Sequence, residues 1–288
     1  MRPASILDFI GRADALKEKY RRPLSNIFLS ADKLRQLLES RHCLFHSLEA
    51  SLFLLIPYHD SYYDFLYVSA SMDSLRDDLK NFLSVYDDTF ALRASITGKE
   101  PSTGEIATVF DESGFVLCKR LARIRTDVNP PLVQQLLKSQ QEEQVGYACV
   151  SDAEEISEML FEEFDLFGDN IPEFSEIIKN IEARQILVIR RGKMIGALLY
   201  FSIQNGQYSD IYDITRKGYR DEFLSVKFGY FLHRHIRRLA IPPSRFYGWR
   251  DATNKRLMKY SRLLNQTLDG VFIYHMVYKF IKHEIRMA

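Results

Sequence analysis

The sequence predicts an α/β protein of two tandem domains, each a mixed central sheet flanked by helices. Its 288 residues suffice for two domains of ordinary size. The order strand–strand–helix–strand–helix–strand closes the first half and returns at the end of the second half, which indicates an internal repeat. Between the halves, Asn129-Pro130-Pro131 and the Gln/Glu-rich stretch 132–144 interrupt the pattern. The domains are therefore predicted at 1–128 and 146–288, joined by a linker at 129–145.

The first half begins with two predicted helices. Apolar residues at helical spacing predict one helix over Ser5–Tyr20, and Ser30 opens a second helix. Runs rich in β-branched and aromatic residues then alternate with helical patterns. The predicted elements that follow are strands His46–Tyr58 and Tyr62–Ser69, helix Ser74–Val85, strand Phe90–Ile96, helix Glu105–Glu112 and strand Val116–Ile124.

The second half starts again with a strand and a capped helix. Ser151 and Glu154 have the spacing of a capping box, and Asn205-Gly206 is typical of a two-residue hairpin turn. Meander strands followed by two strand–helix crossovers imply a mixed sheet with helices on both faces. The predicted elements are strand Gly146–Val150, the helix after Ser151, helix Pro172–Ala183, strands Gln185–Ile189, Met194–Ile203 and Gln207–Thr215, helix Phe223–Leu239, strand Phe246–Arg250, helix Lys255–Leu264 and strand Val271–Tyr278.

Composition limits the class of protein. Hydrophobic residues at 46% and charged residues at 27% are typical of a globular chain, and a net charge of +1 offers no global attraction to nucleic acid or a membrane. Cys43, Cys118 and Cys149 form no CxxC pair, which favours a reducing compartment. Met1–Ile10 lacks the apolar centre of a signal peptide, and no apolar run has the length of a membrane span. We expect a soluble cytoplasmic protein without a metal site.

Two segments carry a resemblance to a known family. Ile106–Phe115 is similar to the helix and the Gly-Phe entry to the final strand of the GNAT acyltransferase superfamily. Trp249–Asn254, followed by the predicted helix Lys255–Leu264, resembles that family's strand, asparagine and short helix. The resemblance spans residues 146–280 and, more weakly, 46–125. It implies two GNAT-like domains in tandem and a donor that is acetyl-coenzyme A or another acyl-coenzyme A.

The resemblance also implies where that donor binds. In this family two parallel strands splay apart at a bulge and offer main-chain groups to pantetheine, while a helix N-terminus binds the pyrophosphate. Carried onto this sequence, the splayed strand is Ser209–Thr215 and the phosphate loop is Arg216–Ser225. The usual glycine-rich run is replaced by Asp221–Ser225, whose carboxylates would weaken pyrophosphate binding. The implied donor-binding residues are Ile214, Thr215, Lys217, Gly218, Tyr219, Arg220, Ser225 and Asn254.

Two carboxylates on the predicted central strand are candidates for proton transfer. Strict alternation places Asp210 and Tyr212 on one face and Asp213 on the other. A carboxylate on a central strand is costly to bury, so it lies at an open cleft or is paired. Asp210 or Asp213 is therefore predicted as the general base that deprotonates an amine. The alternative is a structural ion pair with Arg216 or Arg250.

The remaining two candidates follow from the resemblance. Tyr260 lies near the place of the tyrosine that protonates the leaving thiolate, one residue before the matching position, where Ser261 stands. Core packing is the alternative for Tyr260. Asn254 matches the asparagine that helps to hold the coenzyme. An N-cap for the helix starting at Lys255 is the alternative for Asn254, and both roles are compatible.

Three functions are open at this point. The first is an acyl-coenzyme A-dependent N-acyltransferase that acetylates a small-molecule or peptide amine by direct transfer in the C-terminal domain. The second is a Fem-type aminoacyltransferase that uses aminoacyl-tRNA, the one reading with a nucleic-acid partner, although the helical hairpin of that family is not apparent. The third is a non-catalytic GNAT-like module that binds a ligand or a protein. Ser69–Ser74, the first-half counterpart of the phosphate loop, has no glycine and no basic residue, which indicates a non-catalytic N-terminal domain.

Overall fold

A computed structural model of the chain describes two compact units. The first comprises Met1–Arg120 with Val271–Ala288, and the second comprises Leu121–Gly270. No helix among the described residues is long and apolar enough to cross a membrane. The described residues are 2–3, 6–20, 22–59, 62–86, 90–127, 145–204, 206–222, 227–228, 231–232, 245–255, 258–259, 261 and 266–279.

The first unit is a mixed sheet between two pairs of helices. Its strands, by chain order, are β1 (Arg2–Pro3), β2 (Leu24–Ser25), β3 (Leu44–Ser47), β4 (Ser51–Tyr58), β5 (Tyr62–Ser69), β6 (Ala91–Lys99) and β13 (Thr267–Tyr278, from Val271 onward). They lie in the order β1-β3-β4-β5-β6-β13, with β2 paired to β5, and only β5 and β6 are parallel among these pairs. The helices are α1 (Ile6–Lys19) and α2 (Ala31–Ser40), which pack on one face, and α3 (Met72–Ser84) and α4 (Ser102–Glu112), which pack on the other.

The second unit repeats this layout. Its strands are β7 (Val116–Asp127, from Leu121 onward), β8 (Val145–Tyr147), β9 (Ile186–Arg191), β10 (Met194–Gln204), β11 (Gln207–Thr215) and β12 (Arg245–Asp251). Their order is β7-β12-β11-β10-β9-β8, and only β11 and β12 are parallel. Helices α5 (Ala153–Glu163) and α6 (Phe174–Glu182) pack on one face. Phe228 and Leu232, which are helical, pack on the other face.

Several turns and caps follow from local chemistry. The Ser30 hydroxyl accepts a hydrogen bond from the Lys33 amide and caps α2. Gly206 has a φ of +70°, and the flanking pair Gln204–Gln207 closes the predicted two-residue hairpin. The predicted capping box at Ser151 and Glu154 is wrong. The box is formed by Cys149 and Asp152 at a 3₁₀ helix (Val150–Asp152), because the Asp152 carboxylate accepts the Cys149 amide at 2.8 Å.

Three predicted strands differ from the structure in their bounds or in their pairing. The run His46–Tyr58 is two strands, because a tight turn, closed by the Leu48 amide on the Ser51 carbonyl at 2.9 Å, divides it. Strand β6 continues to Lys99, because Lys99 pairs with Val271 of β13. Strand β13 therefore pairs within the first unit, whereas the sequence placed it in a domain at 146–288. Residues 129–144 of the predicted linker at 129–145, and most of the predicted helix Phe223–Leu239, lie outside the described residues.

Candidate functional site

Two parallel strands of the second unit separate part-way along their length. Strands β11 and β12 pair from Gln207–Arg245 to Asp210–Gly248, and both strands are described throughout. After that pair they form no further ladder with each other, although each continues as a strand. We call this point, after Asp210 and Gly248, the second-unit fork.

A bulge on β11 coincides with the fork. Asp210 pairs with Phe201 of β10, and Tyr212 pairs with Tyr200, so that Ile211 is the extra residue of the ladder. A bulge re-aims the side chains that follow it and increases the local twist of the strand. Ile211 is 43% exposed, which fits a residue that has no place in the regular pleat.

The bulge corrects the predicted alternation along β11. Tyr208 packs with Phe228 on one face of the sheet, whereas Tyr212 packs with the α5 and α6 face. Asp210 therefore shares a face with Tyr208, and the prediction that it shares a face with Tyr212 is wrong, since the inserted Ile211 reverses the pattern. Asp213 alternates with Tyr212 and so faces the same way as Asp210. In agreement, the Asp213 charge contributes to raising the pKa of Tyr208.

Asp210 lies in a polar cluster at the fork. The Tyr208 hydroxyl donates a hydrogen bond to its carboxylate, and the Arg250 guanidinium lies 4.0 Å from the same group. The Asp210 side chain is 18% exposed. Burial raises the pKa of Asp210, while Arg250 and the Tyr208 hydrogen bond act in the opposite direction. The predicted alternative of an ion pair with Arg250 is thus present, together with a carboxyl group that holds protons more tightly than usual.

Arg216 is anchored by β10 and α5. Its amide donates to the Gly196 carbonyl at 2.9 Å, and its Nε donates to the Ile195 carbonyl at 2.8 Å. Its Nη2 forms an ion pair with Glu155 Oε1 at 2.9 Å. The structural partner of Arg216 is therefore Glu155, and neither Asp210 nor Asp213 is needed for this role.

A 3₁₀ helix (Lys217–Glu222) follows Arg216 and holds part of the predicted phosphate loop. Lys217 and Gly218 are exposed, whereas the Tyr219 ring packs over Gly196, where an added Cβ would lie 3.3 Å from that ring. Before this helix, Ile214 is buried against α5 and α6, and Thr215 pairs with Ala197 of β10. The Arg220 backbone belongs to the 3₁₀ helix, and Ser225 lies outside the described residues.

The segment after β12 favours the capping role of Asn254. The Asn254 amide donates to the Asp251 carbonyl at 3.1 Å, and its carbonyl accepts from the Met258 amide at 3.0 Å. That pattern is the one that an N-cap residue makes, and Asn254 is exposed. Tyr260 lies outside the described residues. Ser261 is 2% exposed, and its hydroxyl has no hydrogen-bond partner within the described part of the chain.

Sequence reasoning missed a cationic and aromatic group on the opposite side of β12 from Asp210. Arg123 of β7 pairs with Trp249 in the ladder, and its guanidinium lies 5.2 Å from the Tyr247 ring centre and 6.0 Å from that of Trp249. Asp269 holds Arg123 at 2.7 Å. Because Arg123 and Asp269 are 146 positions apart, no local sequence pattern connects them.

Among the described residues, no group of three or more His, Cys, Asp or Glu side chains is placed to hold a metal ion.

The fold matches solved structures of GCN5-related N-acetyltransferases. A tandem GNAT protein from the clavulanic acid biosynthesis pathway has a TM-score of 0.62 at 10% identity, with 96% of each chain covered. A GCN5-related N-acetyltransferase from Sphaerobacter thermophilus has a TM-score of 0.54 at 11% identity, over 96% of this chain and 94% of that one. A GNAT-family acetyltransferase from Colwellia psychrerythraea has a TM-score of 0.53 at 8% identity, over 96% and 98%.

No protein-family model matches the chain, and a search of curated proteins gave no match. The chain has the fold of tandem GNAT proteins, and the prediction of two tandem α/β domains with mixed sheets is confirmed. Identities near one in ten show the fold alone and do not carry an activity over to this chain.

Proposed function

We propose that the protein is an acyl-coenzyme A-dependent N-acyltransferase whose donor binds at the second-unit fork. The observation that carries this proposal is the end of the β11–β12 ladder at Asp210 and Gly248, next to the Ile211 bulge. Two strands that diverge turn main-chain groups toward the gap between them, and an extended ligand with amide groups can pair there as an added strand. Pantetheine is such a ligand. The acceptor is a small-molecule or peptide amine.

The donor-binding residues of this proposal come from both arms of the fork and from the loop after β11. Ile214 and Thr215 supply main-chain groups beyond the bulge. Lys217 is exposed at the start of the 3₁₀ helix, where its positive charge favours an anionic diphosphate. The other members of the proposed donor site, taken from the resemblance, are Gly218, Tyr219, Arg220, Ser225 and Asn254.

The proposed chemistry uses Asp210 as the proton acceptor. The amine nitrogen attacks the thioester carbonyl, a C–N bond forms and the C–S bond breaks. The ammonium proton passes to the Asp210 carboxylate, and the departing thiolate takes a proton, for which Tyr260 is the proposed donor. Burial raises the pKa of Asp210, which makes the carboxylate a stronger base than one in water. Asp213, on the same face but exposed, is the second candidate for this role.

Asp210→Asn and Asp213→Asn together test the assignment. Coenzyme A binding is measured by titration calorimetry, and transfer from acetyl-coenzyme A to a panel of amines is followed by the thiol released. We expect Asp210→Asn to lower kcat by about 10²–10⁴ with little change in the Kd for coenzyme A, because the amide keeps the shape and cannot take the proton. Asp213→Asn serves as the matched control on the same strand and face. A larger loss in Asp213→Asn would move the role to that residue, and no binding of coenzyme A at millimolar concentration would reject the proposal.

A non-catalytic binding module is the second candidate, and one observation favours it. Asp210 already accepts the Tyr208 hydroxyl and faces Arg250, which is also the environment of a structural carboxylate. In that case, coenzyme A binds without turnover of any amine. Asp210→Asn would then lower the free energy of unfolding without a catalytic effect to measure.

A further inference from the structure

The first unit contains a fork of its own. Strands β5 and β6 run parallel and pair from Tyr62–Ala91 to Asp64–Arg93 only, although β5 continues to Ser69 and β6 to Lys99. Both strands are fully described. We call this point, after Asp64 and Arg93, the first-unit fork. It corresponds in the order of strands to the second-unit fork.

A segment of the same chain occupies the first-unit fork. Strand β2 pairs antiparallel with the C-terminal end of β5, beyond the point where β5 leaves β6, through the pairs Leu24–Ser69 and Ser25–Val68. The next residue, Asn26, continues this pairing, because its amide donates to the Tyr67 carbonyl at 3.3 Å. Leu24–Asn26, the inserted segment, therefore takes the position beside β5 that β6 leaves.

The Asn26 side chain completes the closure. Its Nδ2 donates to the Phe65 carbonyl at 2.9 Å, and its Oδ1 accepts from the Tyr67 amide at 2.7 Å. The same Nδ2 lies 3.5 Å from the Ser95 carbonyl on β6, so one side chain reaches both arms of the fork. Asn26 is 5% exposed. Its amide satisfies main-chain groups of β5 as the amide of an extended ligand would.

The flanks of the inserted segment hold it in place. Ile27 and Leu29 pack against the apolar cluster of α1, α2 and β4.

The N-terminus of α3, the helix after β5, is also closed to an anion. The Ser71 hydroxyl accepts a hydrogen bond from the Ser74 amide at 3.1 Å, and Asp73 lies in the first turn. A carboxylate there repels a diphosphate and takes the favourable end of the helix dipole.

We infer that the inserted segment, Leu24–Asn26, closes the first-unit fork to an acyl-coenzyme A, so that each chain has one donor site, in the second unit. This inference rests on the proposed function for the identity of the ligand. An incoming donor would have to break the β2–β5 pairs and leave the buried Asn26 amide without its partners, and a buried polar group without a partner is strongly disfavoured. The first-unit fork is thus filled by the protein's own chain and serves the fold, without binding a donor.

A reversible disulfide between the inserted segment and β5 tests the inference. Because Asn26 and Tyr67 are hydrogen-bonded, the adjacent pair Ser25–Val68 is at a non-hydrogen-bonded position, where Cα atoms lie about 4.5 Å apart and a disulfide fits. The oxidised form of the double variant Ser25→Cys/Val68→Cys is compared with its reduced form. The reduced form is the matched control, since it carries the same substitutions.

Titration of both forms with acetyl-coenzyme A, which has no free thiol that could open the disulfide, gives the expected result and its opposite. We expect one acetyl-coenzyme A per chain in both forms, with Kd values within twofold. Two per chain in the reduced form and one in the oxidised form would overturn the inference while the proposed function stands. Absence of binding in both forms would reject the proposed function, and the inference is then decided by hydrogen exchange.

Hydrogen exchange of the unmodified protein examines the closure without a ligand. We expect the amides of Asn26 and Tyr67 to exchange as slowly as those of β4, and addition of 1 mM coenzyme A to leave them unchanged. Asn26→Ala should speed hydrogen exchange of the Tyr67 amide at least tenfold and leave the amides of β4 unaffected. The substitution removes Asn26 Oδ1, which accepts the hydrogen bond of the Tyr67 amide. Rapid exchange of both amides in the unmodified protein would show an open fork and overturn the inference.

Discussion

His275 is a buried histidine in the first unit. It lies on β13 with 1% of its surface exposed, and its Nδ1 is 2.9 Å from the Ser95 hydroxyl. Burial, with the positive charges of Arg93 and Lys119, lowers the pKa of His275 to about 3. The imidazole is therefore neutral in the folded protein at neutral and mildly acidic pH.

The free energy of unfolding should consequently fall as the pH drops from about 6.5 to about 3, because the unfolded chain binds a proton on His275 that the folded chain excludes. The contribution is up to about 1.4 kcal/mol per pH unit. Urea unfolding of the wild type and of His275→Gln at about pH 7.5 and about pH 5 measures it. The variant should show a smaller loss between the two pH values, and equal losses would contradict this assignment.

Gly196 is a residue where the proposed donor site depends on close packing. A Cβ at this position would lie 3.1 Å from Arg191 Cγ and 3.3 Å from the Tyr219 ring. We expect Gly196→Ala to lower the free energy of unfolding by about 1–3 kcal/mol and to displace Tyr219. Gly146→Ala is the control, since a Cβ there meets nothing within 4 Å. Urea unfolding and coenzyme A titration give the two readouts, and equal behaviour of both variants would argue against tight packing at Gly196.

At the scale of elements, the Ile211 bulge sets the geometry of the second-unit fork. Removal of Ile211 would leave Asp210 paired with Phe201 and Tyr212 paired with Tyr200, now as consecutive pairs of a regular ladder. Side chains would keep their faces, while β11 would lose the twist that directs it away from β12.

Deletion of Ile211 should therefore weaken coenzyme A binding at least tenfold, while the protein remains folded. Ile211→Ala is the matched control, because it keeps the bulge and removes only an exposed side chain. Titration calorimetry measures the binding, and a thermal melt checks the fold. A deletion variant that binds coenzyme A as tightly as Ile211→Ala would remove the link between the bulge and the donor site.

The bulge also shows why part of the site was not readable from the sequence. The bounds of β11, Gln207–Thr215, agree with the prediction because the Asn205-Gly206 turn and the alternating pattern define them. Tyr208 and Tyr212 have the same parity, so a regular strand would place both on one face. Their separation onto two faces depends on an insertion in a pairing with β10, and an exposed isoleucine is its only local trace. The predicted relation of Asp210 to Asp213 failed for this reason.

At the scale of the whole chain, local patterns predicted the tandem architecture well. The repeated order of elements and the alternating strands are properties of short windows, and the described strands follow the predicted order in both halves of the chain. Pairings between distant residues were not predicted. The Arg123–Asp269 ion pair and the Asn26–Tyr67 hydrogen bond join residues that no periodicity connects. The same holds for the last strand, which completes the sheet of the unit that begins the chain.

That exchange of the last strand constrains synthesis on the ribosome. Ser95 of β6 meets His275 of β13 across 180 positions of the chain, so β6 emerges from the exit tunnel long before its neighbour exists. During that interval the nascent first unit presents an open strand edge, which invites pairing with other polypeptides. The first unit therefore cannot finish folding before the second unit has been synthesised. Completion of the earlier one waits for translation to reach the final strand.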